Sequence, residues 1–280
     1  MHLWEAALLG VVQGLTEFLP ISSTAHLLAV RQALGHANPE DAFTTVIQLG
    51  TLVAVLWYFR TDILALSRAV VGDWKARRIA STPESRMAWL IVLGTVPAVV
   101  VGGLWKGWLK ATFYNLTAMA WVAIVFALLM ALAEVWARAR RNVANPGKSE
   151  TEVGWATAVW VGLWQALALM PGASRSGTTI TAGLFAGLSR PAAARFSFLL
   201  SLPSVFAAGV KELYDERSKL FGEEVAPLAV GLAVSAVVGY LAIAWLLHFL
   251  KRYSTAVFVV YRLVLGAAIL GLIAAGTLHG

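Results

Sequence analysis

Residues 162–179 read GLWQALALMPGASRSGTT, and this stretch decides the fold. It opens as an apolar helix-forming run, stops at Pro171-Gly172, and restarts behind hydroxyl residues of the kind that cap helices. The wider stretch 154–188 is apolar throughout but interrupted. Each of its halves has roughly 10 to 18 residues, too few to cross a hydrocarbon core of about 30 Å comfortably. The pattern predicts a helix–turn–helix hairpin that enters the membrane and leaves on the same side. Residues 3–34 have the same form, broken by Pro20-Ile21-Ser22-Ser23-Thr24.

Around these two breaks lie uninterrupted apolar runs. Positions 87–105, 115–133, 225–247 and 256–275 are nearly devoid of charge. About six full spans are predicted, near 42–60, 87–106, 115–137, 192–211, 225–250 and 256–276. The chain of 280 residues is 59% hydrophobic and only 13% charged, about half the charge of a soluble domain. The fold class is therefore all-α, a polytopic membrane protein in one domain, 1–280. The tryptophans Trp57, Trp74, Trp136 and Trp245 stand near run ends, where interfacial belts form. Cysteine is absent, which excludes disulfides and thiolate metal sites. No Lys or Arg precedes Arg31, so the first apolar stretch reads as part of the mature chain.

The net charge of +7 sits in short loops, without the basic, aromatic-interleaved surface that nucleic acid would require. It sets orientation instead. Arg60, Arg68, Lys75, Arg77, Arg78 and Arg86 crowd one loop; Arg138, Arg140, Arg141 and Lys148 a second; Lys251 and Arg252 a third. The positive-inside rule makes these cytoplasmic. The acidic 212–224 loop, with Glu212, Asp215, Glu216, Glu223 and Glu224, then falls outside together with both termini. The two hairpins enter from opposite faces, an inverted-topology repeat with halves near 1–137 and 154–276. Gly10 and Gln13 echo Gly162 and Gln165, while Pro20 and Ser23 stand opposite Pro171 and Ser174. Phe43-Thr44 with Gln48 resembles Phe196-Ser197 with Ser201. Such repeats bring their polar turns together near the midplane.

Those turns hold the chemistry. Gln13 and Glu17 share a helix face, and Glu17 is the one carboxylate deep in an apolar stretch. An intramembrane carboxylate faces a cavity or a partner. Ser22, Ser23 and His26 follow Pro20 closely, so a hydroxyl, an imidazole and a carboxylate lie within ten residues. In the second turn, Gly172, Ser174, Ser176, Gly177, Thr178 and Thr179 open a helix around Arg175. Backbone N–H groups at a helix start and a guanidinium fork suit an anion, above all phosphate. An ion pair between Arg175 and Glu17 is the structural alternative. Arg262, beside Tyr261 in the last span, reads as snorkelling to the cytoplasmic surface. Gln48, Ser197 and Ser201 either line the cavity or pin helices together.

The segments from Gln13 to His26 and from Pro171 to Thr179 together resemble the two signature segments of the bacitracin-resistance-type undecaprenyl-diphosphate phosphatases. The resemblance extends over essentially the whole chain, including motif order, spacing and the Tyr261-Arg262 turn. The family's first segment carries Glu or Gln, three residues, then Glu; here the Gln form stands at Gln13. The resemblance implies hydrolysis of a C55 polyprenyl diphosphate to the monophosphate in the bacterial plasma membrane. It also implies a divalent cation, magnesium or calcium. Glu17, Ser23, His26, Ser174 and Arg175 would be catalytic, with Glu17 orienting His26 or binding the cation. Gln13, Ser22, Gly172, Ser176, Gly177, Thr178 and Thr179 would contact substrate. The nucleophile would be Ser23 activated by His26, or a water with His26 as base. Partners would be the polyprenyl lipid, membrane lipids and a second copy in a homodimer. Acid-phosphatase-like lipid phosphatases are a poor match, because Ser174-Arg175 has no histidine after it until His248. A transporter or flippase for an anionic lipid is the rival reading, since broken helices and inverted repeats are transporter features.

Overall fold

The computed structural model describes residues 1–36, 42–140, 147–215 and 225–278, and among them the regular structure is helical. Arg141, Glu216, Glu223 and Glu224, used above to orient the chain, lie outside the described residues. Among the described residues five helices are long and apolar enough to span a membrane: α6 (Pro83–Phe113), α7 (Leu116–Arg140), α10 (Arg190–Asp215), α11 (Val225–Arg252) and α12 (Ala256–Ala274). They match five of the six expected spans. The sixth differs. Residues 42–60 form α3 (Ala42–Val46) and α4 (Gln48–Tyr58), and the chain then bends by 73° into α5 (Arg60–Lys75). Only this bent pair taken together passes the same test for a span. The break at Ile47 is stabilised from outside, because Ser235 Oγ of α11 donates to the Ile47 carbonyl at 3.0 Å. The bend falls where Arg60 and Asp62 make continued burial costly. What reads as a loop after Arg60 is thus a helix over most of its length.

Both interrupted stretches break where expected. The first gives α1 (Leu3–Phe18) and α2 (Ser23–Ala33), and the second gives α8 (Trp155–Leu167) and α9 (Arg175–Phe185). The sixteen residues of α1 cover roughly 24 Å, short of a full crossing. In each pair the two helices pack on one another. The residues before α2 and α9, Ser22 and Ser174, share one unusual backbone conformation, with φ 73° and 67° and ψ 100° and 111°. Positive φ in a residue other than glycine costs of order 1–3 kcal/mol and clusters at functional turns. The two serines are 152 positions apart, as are Gln13 and Gln165, whereas the two prolines are 151 apart. The extra residue in the second turn is accommodated at Gly172, φ 95°.

Packing crosses between the halves. Helix α1 lies along α11, and α8 lies along α6. Small residues permit the approach: Gly10 and Gly14 face the backbone of Gly231, Ser235 and Gly239. Gly162 of α8 sits against Gly94 of α6 so closely that a Cβ there would stand 2.4 Å from the Gly94 carbonyl oxygen. Helix α10 is central, with 59% of its apolar window buried, against 28% for α6 and α12. Buried Glu134 of α7 fastens the frame, accepting from Arg190 at the start of α10, from Arg138 Nε at 3.0 Å and from Thr255 Oγ1 at 2.9 Å. Thr255 leads into α12, so this knot fixes where that helix begins.

Gly162→Val should therefore destabilise the protein by about 1–3 kcal/mol through overpacking, read as a lower melting temperature in detergent. Gly103→Val, where an added Cβ meets no atom within 4 Å, is the neutral control. Equal melting of the two variants would refute the close α6–α8 approach.

Candidate active site

The two breaks meet. From α1, Glu17 reaches across to α9, where its Oε1 pairs with the guanidinium of Arg175. Its other oxygen, Oε2, accepts from Ser23 Oγ and from Gln13 Nε2, each at 3.0 Å. Glu17, Gln13, Ser23 and Arg175, drawn from three helices, are thus one cluster around a single carboxylate. The carboxylate side chain is 6% exposed and the arginine 23%, so the open edge of the pair is on the arginine side. Of the two readings open for Arg175, the structure shows the ion pair. Ser176 Oγ donates to the Leu19 carbonyl at 3.1 Å, a second tie between the turns.

His26 stands apart from Ser23. Its Nδ1 lies 2.7 Å from the Ser22 carbonyl and its Nε2 lies 2.6 Å from the Tyr261 hydroxyl. The expected Ser23–His26 pairing is replaced by Ser23–Glu17, and no hydrogen bond joins Glu17 to His26 among the described contacts. The cause is local. Helix α2 starts at Ser23, so Ser23 and His26 sit in the same first turn, but the ring folds back onto the Ser22 carbonyl.

In the second turn, Ser174 Oγ accepts from the Gly177 N–H and its carbonyl accepts from the Thr178 N–H. Two of the backbone donors expected to hold an anion are therefore used within the turn. Thr178 and Thr179 are buried with their hydroxyls bonded to helix carbonyls, and Thr179 also meets Ser197. They are not brought to the Glu17–Arg175 pair. Ser197 thus pins α10 to α9. The polar groups at the meeting point are the guanidinium, the Ser174 hydroxyl, Ser23, Glu17 and Gln13, with the Ser176 hydroxyl tied to the Leu19 carbonyl.

Arg262 overturns its sequence reading. It does not snorkel; it is fully buried. Its guanidinium donates to the carbonyls of Gly172 and Ala173 in the second turn, at 3.1 and 2.9 Å, and of Pro20 in the first, at 3.4 Å. Nε adds a bond to the Ala123 carbonyl of α7. Gly177 is needed here for space, since a Cβ on it would lie 2.8 Å from the Arg262 guanidinium. At Gly172 a Cβ would stand 2.5 Å from the Met119 carbonyl oxygen. One signal in the sequence could have found Arg262: a lone cation in an apolar run, facing two broken helices whose carbonyls lack partners.

Among the described residues no three His, Asp or Glu side chains gather as a metal cluster. The cluster at Glu17 nonetheless suits a hard cation that borrows most of its ligands from phosphate. Besides the carboxylate, the buried Gln13 Oε1 has no hydrogen-bond partner. That is an oxygen donor next to the only carboxylate of the site.

The family model described as "Bacitracin resistance protein BacA" matches residues 6–268. A protein of Chlorobium phaeobacteroides (strain BS1) named undecaprenyl-diphosphatase is 49% identical over 281 residues, covering 100% of both chains. Proteins of the same name from Prosthecochloris aestuarii and Chlorobaculum tepidum are 47% and 46% identical, covering 100% and 99% of both chains respectively.

Arg262→Ala takes the donor from the Gly172 and Pro20 carbonyls, at about 1–3 kcal/mol for each buried group, while the Ala173 carbonyl keeps the Thr178 hydroxyl at 3.2 Å. It should lower the melting temperature more than Arg175→Ala, whose partner Glu17 keeps its bonds from Gln13 and Ser23. The reverse order would show that Arg262 is not the anchor of the turns.

Proposed function

Because this chain belongs to the bacitracin resistance protein BacA family, we propose that it hydrolyses undecaprenyl diphosphate to the monophosphate and inorganic phosphate. The observation that carries this reading is the Glu17–Arg175 pair at the meeting of the two turns, with Ser23 on the same carboxylate. A diphosphate entering from the arginine side offers the guanidinium a bidentate anion in place of a carboxylate. Arg175, with the Ser174 hydroxyl, then grips the terminal phosphate and stabilises the charge that builds on it.

Released from Arg175, Glu17 has one oxygen free and the other still on the Ser23 hydroxyl. A nucleophile in hydrogen-bond reach of its base is the arrangement covalent catalysis needs. Ser23 Oγ attacks the terminal phosphorus, its proton passes to Glu17 Oε2, and the undecaprenyl monophosphate departs. Water then attacks the phosphoserine, giving its proton to His26 Nε2. Magnesium or calcium would be held by Glu17 Oε1 and Gln13 Oε1 together with diphosphate oxygens, neutralising phosphate charge.

The site is placed in the membrane by two re-entrant hairpins in an inverted repeat, with halves near 1–137 and 154–276 and both termini outside the bacterial plasma membrane. Supporting this are the twin serine turns, the second helices of eleven residues each, and the crossed packing of α1 with α11 and α8 with α6. Basic residues near Ala80, at Arg77 and Arg78, set that end in the cytoplasm.

Purified protein should release inorganic phosphate from undecaprenyl diphosphate in detergent. Arg175→Ala should lower kcat by at least about a hundredfold, and Arg175→Lys should rescue poorly, because an ammonium cannot reproduce the fork. Near-normal turnover in Arg175→Lys would exclude bidentate binding. A folded protein that binds the lipid without releasing phosphate would favour the transporter reading.

In this cysteine-free chain, Leu278→Cys should react with an impermeant thiol reagent added outside intact cells, and Ala80→Cys should not. Labelling at position 80 would overturn the topology.

A further inference from the structure

Tyr261 is the one site neighbour that the proposed reaction leaves without a task. It reaches His26 from α12, 235 positions away in the chain, and the two rings lie nearly parallel, 11° apart with centroids at 5.7 Å. Its backbone is fixed by the next residue, Arg262, which is bound to four carbonyls. The hydrogen-bond roles follow from the partners. A carbonyl oxygen only accepts, so the 2.7 Å contact with Ser22 puts the hydrogen of the neutral ring on Nδ1. Nε2 then carries the lone pair, and the Tyr261 hydroxyl at 2.6 Å must donate to it.

We propose that Tyr261 is a positioning residue for this reaction, holding the His26 ring with the Nδ1 hydrogen on Ser22 and the Nε2 lone pair on its own hydroxyl, which gives way to the attacking water. The inference rests on the reading of His26 as proton acceptor given above. A hydroxyl is suited to the task because it both donates and accepts. While the site is empty it donates to Nε2. When water attacks the phosphoserine, the hydroxyl yields Nε2 to that water. The new O–P bond forms, the P–Oγ bond breaks, and Ser23 Oγ takes back its proton from Glu17. The water's proton is now on Nε2, and the imidazolium N–H donates to the Tyr261 oxygen until the departing phosphate takes the proton. Throughout, Nδ1 stays on the Ser22 carbonyl. The strained backbone of Ser22 acquires a reason, since φ 73° is the conformation in which its carbonyl holds the ring.

The backbone of Arg262 and the stacked ring both survive in Tyr261→Phe, which removes the hydroxyl alone. Its kcat should fall about tenfold to a hundredfold with KM changed less than about twofold, the pattern of a group that acts in the chemical step. A readout independent of turnover is the modification of His26 by diethyl pyrocarbonate, followed by peptide mass mapping. Tyr261→Phe should speed modification at His26 and leave His2 and His248 at their original rates. Unchanged kcat, or unchanged protection of His26, would overturn the proposal. So would a fall in kcat with all three histidines modified faster, which marks general loosening. Tyr261→Leu provides the second variant: loss of kcat in Leu but not in Phe would assign the effect to stacking and also overturn it. If the unsubstituted protein releases no phosphate, the function falls, while the protection of His26 by the Tyr261 hydroxyl is still decided by the mapping.

Discussion

A broken helix at membrane depth leaves carbonyl groups that neither water nor the next turn can satisfy, each at a cost of several kcal/mol. Here one side chain donates to carbonyls of both breaks. Arg262 donates to Gly172 and Ala173 on one side and to Pro20 on the other, and is tied to α7 through the Ala123 carbonyl. Its own burial would be prohibitive without such acceptors, and the turns would be prohibitive without such a donor. Each makes the other tolerable. The rest of the site depends on that exchange, because it sets the distance across which Glu17 and Arg175 pair.

The anchoring extends outward in layers. Behind Arg262, α12 begins at Thr255, whose hydroxyl and N–H are held by Glu134. Glu134 in turn binds Arg190, where α10 starts just beyond α9. The end of α7, the start of α10 and the start of α12 are therefore locked together by one buried carboxylate. A buried ion pair of this kind is weak evidence for added stability but fixes register, and breaking one partner is costly. Glycine contacts supply the remaining constraint by seating α1 on α11 and α8 on α6.

Much of this was legible in the sequence. Five spans, both breaks and the start of α2 at Ser23 follow from apolar runs, proline, glycine and capping hydroxyls, all of which act locally. The two polar turns, expected to come together, do meet through Glu17, with Gln13, Ser23 and Arg175 around its carboxylate. What escaped was decided by contacts between distant segments. The break at Ile47 depends on Ser235, a hydroxyl 188 positions later. The partner of Ser23 depends on which way the His26 ring turns, and that is set by the Ser22 carbonyl and Tyr261. Arg262 was misread because its distance from the helix end suggests water, whereas its true acceptors are backbone atoms that no local pattern reveals.

Each turn has a serine of positive φ, yet the two serve different ends. Ser174 spends its side chain on the Gly177 N–H, closing the helix start beneath Arg175. Ser22 makes no such cap and spends its carbonyl on His26. A shared backbone strain thus produces a rigid seat for a cation in one turn and an oriented imidazole in the other. The divergence follows from the residues behind each serine: Arg175 directly after one, and His26 four residues beyond the other, one helical turn along. It is the difference between the two turns, a carboxylate from one facing an arginine from the other, that gives the meeting point both a basic and an acidic side.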